Sequence, residues 1–277
     1  MKKAAITALA SVLASCAHAP PVASVADPNC GWNEQTRQMA QETWRYAQLA
    51  SNVYRNAAGD APDFVLPPDV TLLREQDNDE IGFAYAVYER RPAGQIPERI
   101  IAFRGTEGYL SREGRKDWRY GNIGLAQHRR GLALYDEWRR RTDAEDPRIP
   151  IRVTGHSLGG GISIQISLCR ENVNTYVFNT SPRFRRCAEP IRNRRVSVAE
   201  YGEILKLPRI FGREATQQYN SIGCTNRGSP FRQHQMRRLA ECLTRIAALE
   251  ENSEARRSLD LNPSVPRDCW PRGRRRI

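Results

Sequence analysis

The chain has no apolar run long enough to cross a bilayer. Its best candidate, Ala4 to Ala14, has 11 residues, where a spanning helix needs about 20. It has no C-x-x-C and no H-E-x-x-H, so no metal ligand set at a familiar spacing is present, and no metal or organic cofactor is expected. Histidine is scarce: His18, His128, His156 and His234 are all there are. Any chemistry that needs an imidazole has few residues to draw on.

What is present is a chain of 277 residues with 40% hydrophobic content, enough for a sizeable core in one α/β unit. It is basic, with 43 Lys and Arg against 31 Asp and Glu, a formal charge of +12. Such a balance suits anionic partners, nucleic acid or a membrane surface, and the N-terminus chooses between them. Lys2 and Lys3 precede the short apolar stretch, as in a signal peptide. Leu13-Ala14-Ser15-Cys16 then resembles the lipobox of bacterial lipoproteins, with Cys16 the lipidated residue and Ala17 compatible with the outer membrane. Simple secretion, with cleavage after Ala17-His18-Ala19, is the alternative. Either route leads out of the cytoplasm, so the expected surface is a membrane and not nucleic acid. The expected organisation is a signal peptide over 1–15, a tether over 16–29, one domain over 30–251, and an irregular basic tail over 252–277. Six cysteines follow Cys16, and up to three disulfides are expected in an oxidising compartment. Cys169 with Cys187 is the first choice, because a strand returning after a helix would bring them together. Cys269 could tie the tail back.

The centre of the sequence is Arg152-Val153-Thr154-Gly155-His156-Ser157-Leu158-Gly159-Gly160-Gly161. Ile149, Ile151 and Val153 give a β-branched strand, and Ile162, Ile164, Ile166 and Leu168 an apolar helix beyond it. Gly155-x-Ser157-x-Gly159 between them has the pattern of a nucleophile elbow. The tight turn lifts the serine hydroxyl and aims the Leu158 N–H at the same point, and the helix N-terminus favours negative charge there. The spacing predicts a helix over about Glu34 to Arg55 and a hairpin of Val70 to Arg74 with Phe83 to Glu89. A strand is predicted over Arg99 to Phe103, a helix over about Arg130 to Arg141, a strand over Val196 to Ala199, and a helix from Met236.

Ile101-Ala102-Phe103-Arg104-Gly105-Thr106 resembles the strand and oxyanion loop of the class 3 lipases, a family of α/β-hydrolases. Asp117-Trp118, Gln127-His128-Arg129-Arg130-Gly131-Leu132 and Thr175 to Arg183 resemble further family segments, and the likeness runs from about Tyr46 to Leu239. It implies an α/β-hydrolase fold, a mostly parallel sheet flanked by helices. It also implies that Thr106 gives an oxyanion donor beside Leu158. In α/β-hydrolases the triad runs Ser, acid, His. After Ser157, His234 is the histidine left, and the family places its base in such a loop. No aspartate lies between the two. Tyr201-Gly202-Glu203-Ile204-Leu205-Lys206-Leu207-Pro208 resembles the family's acid-bearing stretch with Glu in place of Asp. Glu203 is therefore the first choice for the acid, and Glu200 the second.

These residues imply a serine hydrolase of acyl esters, with Ser157, His234 and Glu203 catalytic. The segment matching the family's lid, Glu107 to Asp117, is mostly polar. An esterase or phospholipase is accordingly expected over a triglyceride lipase, with the basic surface suited to anionic headgroups. The alternative is a silent hydrolase fold that serves as an envelope binding protein.

Overall fold

The computed structural model describes residues 30–54, 63–105, 125–185, 187, 191–211, 218–224, 229–250 and 252–267. The expected signal peptide, Cys16, Thr106, the lid segment and the basic tail from Pro271 lie outside them. The first helix, α1 (Glu34–Asn52), is capped by the Asn33 side chain, which accepts from the Thr36 N–H at 2.8 Å.

Seven strands form one sheet in chain order. They are β1 (Val70–Gln76), β2 (Tyr85–Arg90), β3 (Glu98–Phe103), β4 (Ile151–His156), β5 (Asn174–Phe178), β6 (Arg195–Glu200) and β7 (Gln218–Ile222). The first three pair antiparallel, and every pairing from β3 to β7 is parallel. This is the sheet of an α/β-hydrolase. Parallel neighbours need crossovers, and helices α2 (Ala126–Glu145) and α3 (Leu158–Cys169) supply those around β4. Beyond β6 come α4 (Lys206–Phe211), α5 (Pro230–Gln233), α6 (Met236–Leu249) and α7 (Ser253–Leu261).

Strand alternation divides the core in two. Ile100, Ala102, Tyr176, Phe178, Val196 and Val198 face a layer made by α1, α6 and α7. Ile101, Phe103, Ile151 and Val153 face α2 and α3. Helix α3 is buried along its whole length, which explains why its sequence is apolar on all sides instead of in one stripe.

The domain does not stop at 251, as the sequence reading had it. Residues 253–261 are helical, Asn252 caps them by accepting from the Ala255 N–H at 2.9 Å, and Ala255 and Leu259 are buried. Gln48 of α1 donates to Ser258 at 2.8 Å. The segment is short and highly charged, and packing against α6 and α1 makes it a helix. Cys169–Cys187 is present, and Cys224–Cys242 joins it. Cys30 is disulfide-bonded as well.

Candidate active site

The parallel strands end together. The segments that leave β3, β4, β5 and β6 at that end carry Gly105, Ser157, Asn179 and Glu203. Ser157 occupies the turn between β4 and α3 with φ 55° and ψ −122°, a conformation that non-glycine residues rarely hold. Three backbone bonds fix it. Its N–H donates to Phe178 at 3.1 Å, and its carbonyl accepts from Ser181 at 2.9 Å and Gly161 at 3.2 Å. The flanking glycines are required by contact: a Cβ on Gly159 would stand 2.1 Å from the Phe103 carbonyl oxygen, and one on Gly155 2.4 Å from the backbone of Gly159. Leu158 begins α3, where the first N–H groups have no partner within the helix.

His234 closes the one-turn helix α5, which starts at Ser229 as N-cap with Pro230 in the first turn. Its Nε2 lies 3.0 Å from Ser157 Oγ, and its Nδ1 lies 2.7 Å from Glu203 Oε2. A carboxylate can only accept, so the Nδ1 carries the proton and the Nε2 lone pair faces the serine hydroxyl. Glu203 is fully buried and fully partnered. Oε2 also accepts the Leu205 N–H at 2.8 Å, and Oε1 pairs with Arg209. Arg209 in turn donates to the Thr180 carbonyl at 2.8 Å. Glu200, the second choice from sequence, points elsewhere: it accepts the Cys224 N–H at 3.0 Å and ties β6 to the end of β7.

The loops that hold the imidazole and the carboxylate are bound to each other. Gly202 donates its N–H to Gln233 Oε1 at 2.9 Å, and Asn179 donates to the Gln233 carbonyl at 3.3 Å while accepting the Glu200 N–H at 2.9 Å. The Cys224–Cys242 disulfide closes the segment on either side of His234.

His156 sits beside Ser157 in sequence but turns away from its hydroxyl. Its Nε2 is 2.7 Å from the His234 carbonyl, and its Nδ1 is 2.7 Å from the Tyr54 hydroxyl. A carbonyl accepts, so Nε2 donates, Nδ1 accepts from Tyr54, and the Tyr54 oxygen accepts the Gly105 N–H at 2.9 Å. This one chain runs from the end of β3 to the backbone of His234. Burial, with His234 and Arg209 nearby, holds the His156 pKa well below the ordinary imidazole range, so it stays neutral. His128 is also buried, with Nε2 at 2.8 Å from the Arg183 carbonyl, and burial pushes it down to about 4. Its Nε2 is engaged by that carbonyl, and the Ser157 hydroxyl is partnered by His234 instead.

Of the residues expected from sequence, Ser157, His234 and Glu203 are brought together, and Leu158 begins the adjoining helix. Thr106 and Cys16 lie outside the described residues. Sequence reasoning missed Arg209, Tyr54 and Gln233. Arg209 follows Glu203 by six residues, and one turn of helix between them was the available clue. No group of three or more His, Cys, Asp or Glu among the described residues could hold a metal.

A match to the phospholipase-like family of the Tle-like phospholipase domain covers residues 45–200, more than half of the chain. The chain belongs to that family. It is a lipase-like α/β-hydrolase, an ester hydrolase of the lipase kind that acts on lipid esters. The family match includes the Ser157 elbow and ends before Glu203 and His234. No curated protein matches this Tle-like chain. Solved structures similar to it include a lipase of Rhizopus microsporus var. chinensis, at 14% identity and TM-score 0.46 over 76% of this chain and 84% of that one. Lipase II of Rhizopus niveus is similar at 17% and 0.44, over 67% and 80%. The Rhizomucor miehei lipase propeptide complex is similar at 16% and 0.40, over 68% and 69%. Likenesses of that size say nothing of chemistry.

Proposed function

We propose that this protein is a serine hydrolase that cleaves the acyl esters of membrane lipids, phospholipids foremost, through an acyl-enzyme. One observation carries the reading: Ser157 Oγ, His234 and Glu203 stand in a hydrogen-bonded row at 3.0 and 2.7 Å. That is the spacing a nucleophile, base and orienting carboxylate require.

Ser157 Oγ attacks the ester carbonyl carbon while its proton passes to His234 Nε2. The tetrahedral intermediate collapses, and the leaving alcohol takes that proton. Water then repeats the sequence on the acyl-enzyme and frees the fatty acid. Glu203 keeps the imidazole in the required tautomer and balances its positive charge during each transfer. The Leu158 N–H, with Thr106 by resemblance to class 3 lipases, stabilises the oxyanion by about 3 kcal/mol per donor. Lipidation at Cys16 would hold the enzyme on the periplasmic side of the outer membrane, within reach of its substrate.

Hydrolysis of p-nitrophenyl esters of increasing chain length, and of phosphatidylglycerol vesicles, tests this. The wild type is expected to hydrolyse both and Ser157→Ala neither, with folding unchanged. An active Ser157→Ala protein would sink the assignment.

A further inference from the structure

The end of the sheet that carries Ser157 gathers cations without carboxylate partners, of which the rest of the described surface has a scatter (Arg140, Arg192, Arg256 and Arg257 among them). Arginines elsewhere are mostly matched: Arg74 with Glu137, Arg90 with Asp69, Arg170 with Asp136, Arg194 with Glu42, Arg267 with Asp260. Around the site the pattern breaks. Arg129 and Arg130 in the first turn of α2, Arg183 after β5, Lys206 at the start of α4 and Arg232 in α5 join no carboxylate of the described residues. Among the described residues the acidic ones at this end are few, and all but the exposed Glu80 are engaged. Glu200 and Glu203 are buried and engaged. Asp77, Asp79 and Glu80 lie on the β1–β2 turn, where Asp77 pairs with Arg104 and Asp79 accepts from its own turn.

Large apolar side chains are exposed among these cations. Leu207 is 55% exposed and Phe231 58%. Leu207 lies four residues after Glu203, and Phe231 three residues before His234, on the two loops bound together through Gly202 and Gln233. His128 links the first turn of α2 to Arg183 through the Arg183 carbonyl. The segments that border the site therefore carry, among the described residues, five cations that join no described carboxylate and two exposed apolar side chains.

We infer that this rim is a docking face for an anionic phospholipid bilayer, with Arg129, Arg130, Arg183, Lys206 and Arg232 on headgroup phosphates and Leu207 and Phe231 entering the acyl boundary. A bilayer supplies both chemistries in one plane, negative charge at the surface and hydrocarbon just beneath it. An acidic protein would match the cations and leave the two apolar side chains without a depth to enter. The choice of a lipid occupant rests on the proposed function. The face also gives that function a preference: vesicles with anionic lipid should be attacked ahead of zwitterionic ones because the enzyme resides on them longer.

The test separates binding from catalysis. Full-length protein carrying Cys16→Ser, so that no acyl anchor contributes, and Ser157→Ala, so that vesicles stay intact, is sedimented with two kinds of vesicle. One is phosphatidylcholine, the other an equal mixture with phosphatidylglycerol. Binding to the mixed vesicles should be at least tenfold tighter and should weaken as salt is raised. Lys206→Glu with Arg232→Glu should remove that preference, and Leu207→Asp with Phe231→Asp should weaken binding to both vesicles at least tenfold. In the background with Ser157 intact, both pairs should hydrolyse p-nitrophenyl butyrate within twofold of the parent. Equal binding to the two vesicles, or variants that bind like the parent, would overturn the inference while leaving ester hydrolysis untouched. Dimers that form through this face and dissociate in the Leu207→Asp, Phe231→Asp variant would overturn it too. A protein that binds anionic vesicles through these residues but hydrolyses no ester would sustain the face and sink the proposed function.

Discussion

Arg209→Met should expose how Glu203 is held. The Glu203 side chain has no solvent exposure and that of Arg209 has 8%, so neither charge is stabilised by bulk water. Removing one partner of a buried pair costs about 3–5 kcal/mol, since the other charge is left uncompensated. Glu203 keeps the Leu205 N–H and His234, which argues for the lower end, about 3 kcal/mol. Against a domain stability of about 5–15 kcal/mol, that is a large fraction. Urea unfolding with an unchanged slope would read it directly. Glu203→Gln should cost a comparable amount, because it strands the guanidinium. The double variant should cost about 2 kcal/mol less than the sum, since residues in one buried network couple. kcat should fall more than KM changes in Arg209→Met, because a carboxylate that wanders no longer fixes the imidazole. A loss under about 1 kcal/mol, or strict additivity of the two single changes, would show that the pair does not hold the acid in place.

Tyr54→Phe strands the Gly105 N–H and the His156 Nδ1 at once, and about 1–3 kcal/mol of stability should go with it; an unchanged thermal midpoint would refute the hydrogen-bonded chain. His128 is neutral when folded and titrates at 6.5 when unfolded, so acid favours the unfolded chain. Its contribution is complete above pH 6.5, and about 3 kcal/mol is lost as pH falls to about 4. His128→Gln should flatten that part of the stability profile, and parallel profiles for the two proteins would contradict the assignment. Replacing Cys224 and Cys242 by Ala opens a loop of 18 residues in sequence separation, worth up to about 3 kcal/mol. Because that loop contains His234, activity at a temperature where the variant stays folded should fall with it; full activity would mean that the hydrogen bonds of Gln233 alone position the imidazole.

Much of the site was legible in the sequence because chain order carried it. The elbow joins strand, turn and helix within a few residues, and the glycine demands at Gly155 and Gly159 are written in the motif itself. Glu203 could be reached because no aspartate lies between Ser157 and His234, but the choice between it and Glu200 depended on which way each side chain turns at the end of β6. Glu200 turns to the Cys224 backbone, a contact between segments 24 residues apart that no local pattern encodes. Arg209 and Tyr54 were not legible for the same reason. Tyr54 reads as one more core-facing residue of the helix predicted over Glu34 to Arg55, and its hydroxyl finds Gly105 and His156 only after the sheet has formed. Helix α7 was missed because its stability comes from packing of Ala255 and Leu259 and the bond from Gln48, not from the helix propensity of nine residues.

The central claim is that Ser157 is the activated nucleophile, and covalent labelling reaches it most directly. The folded, oxidised protein would be treated with a fluorophosphonate probe and the adduct located by peptide mass spectrometry. The account predicts one adduct, on Ser157, formed at least a thousandfold more slowly in His234→Ala and absent in Ser157→Ala. No adduct on a folded protein, or an adduct on another residue that survives Ser157→Ala, would contradict it.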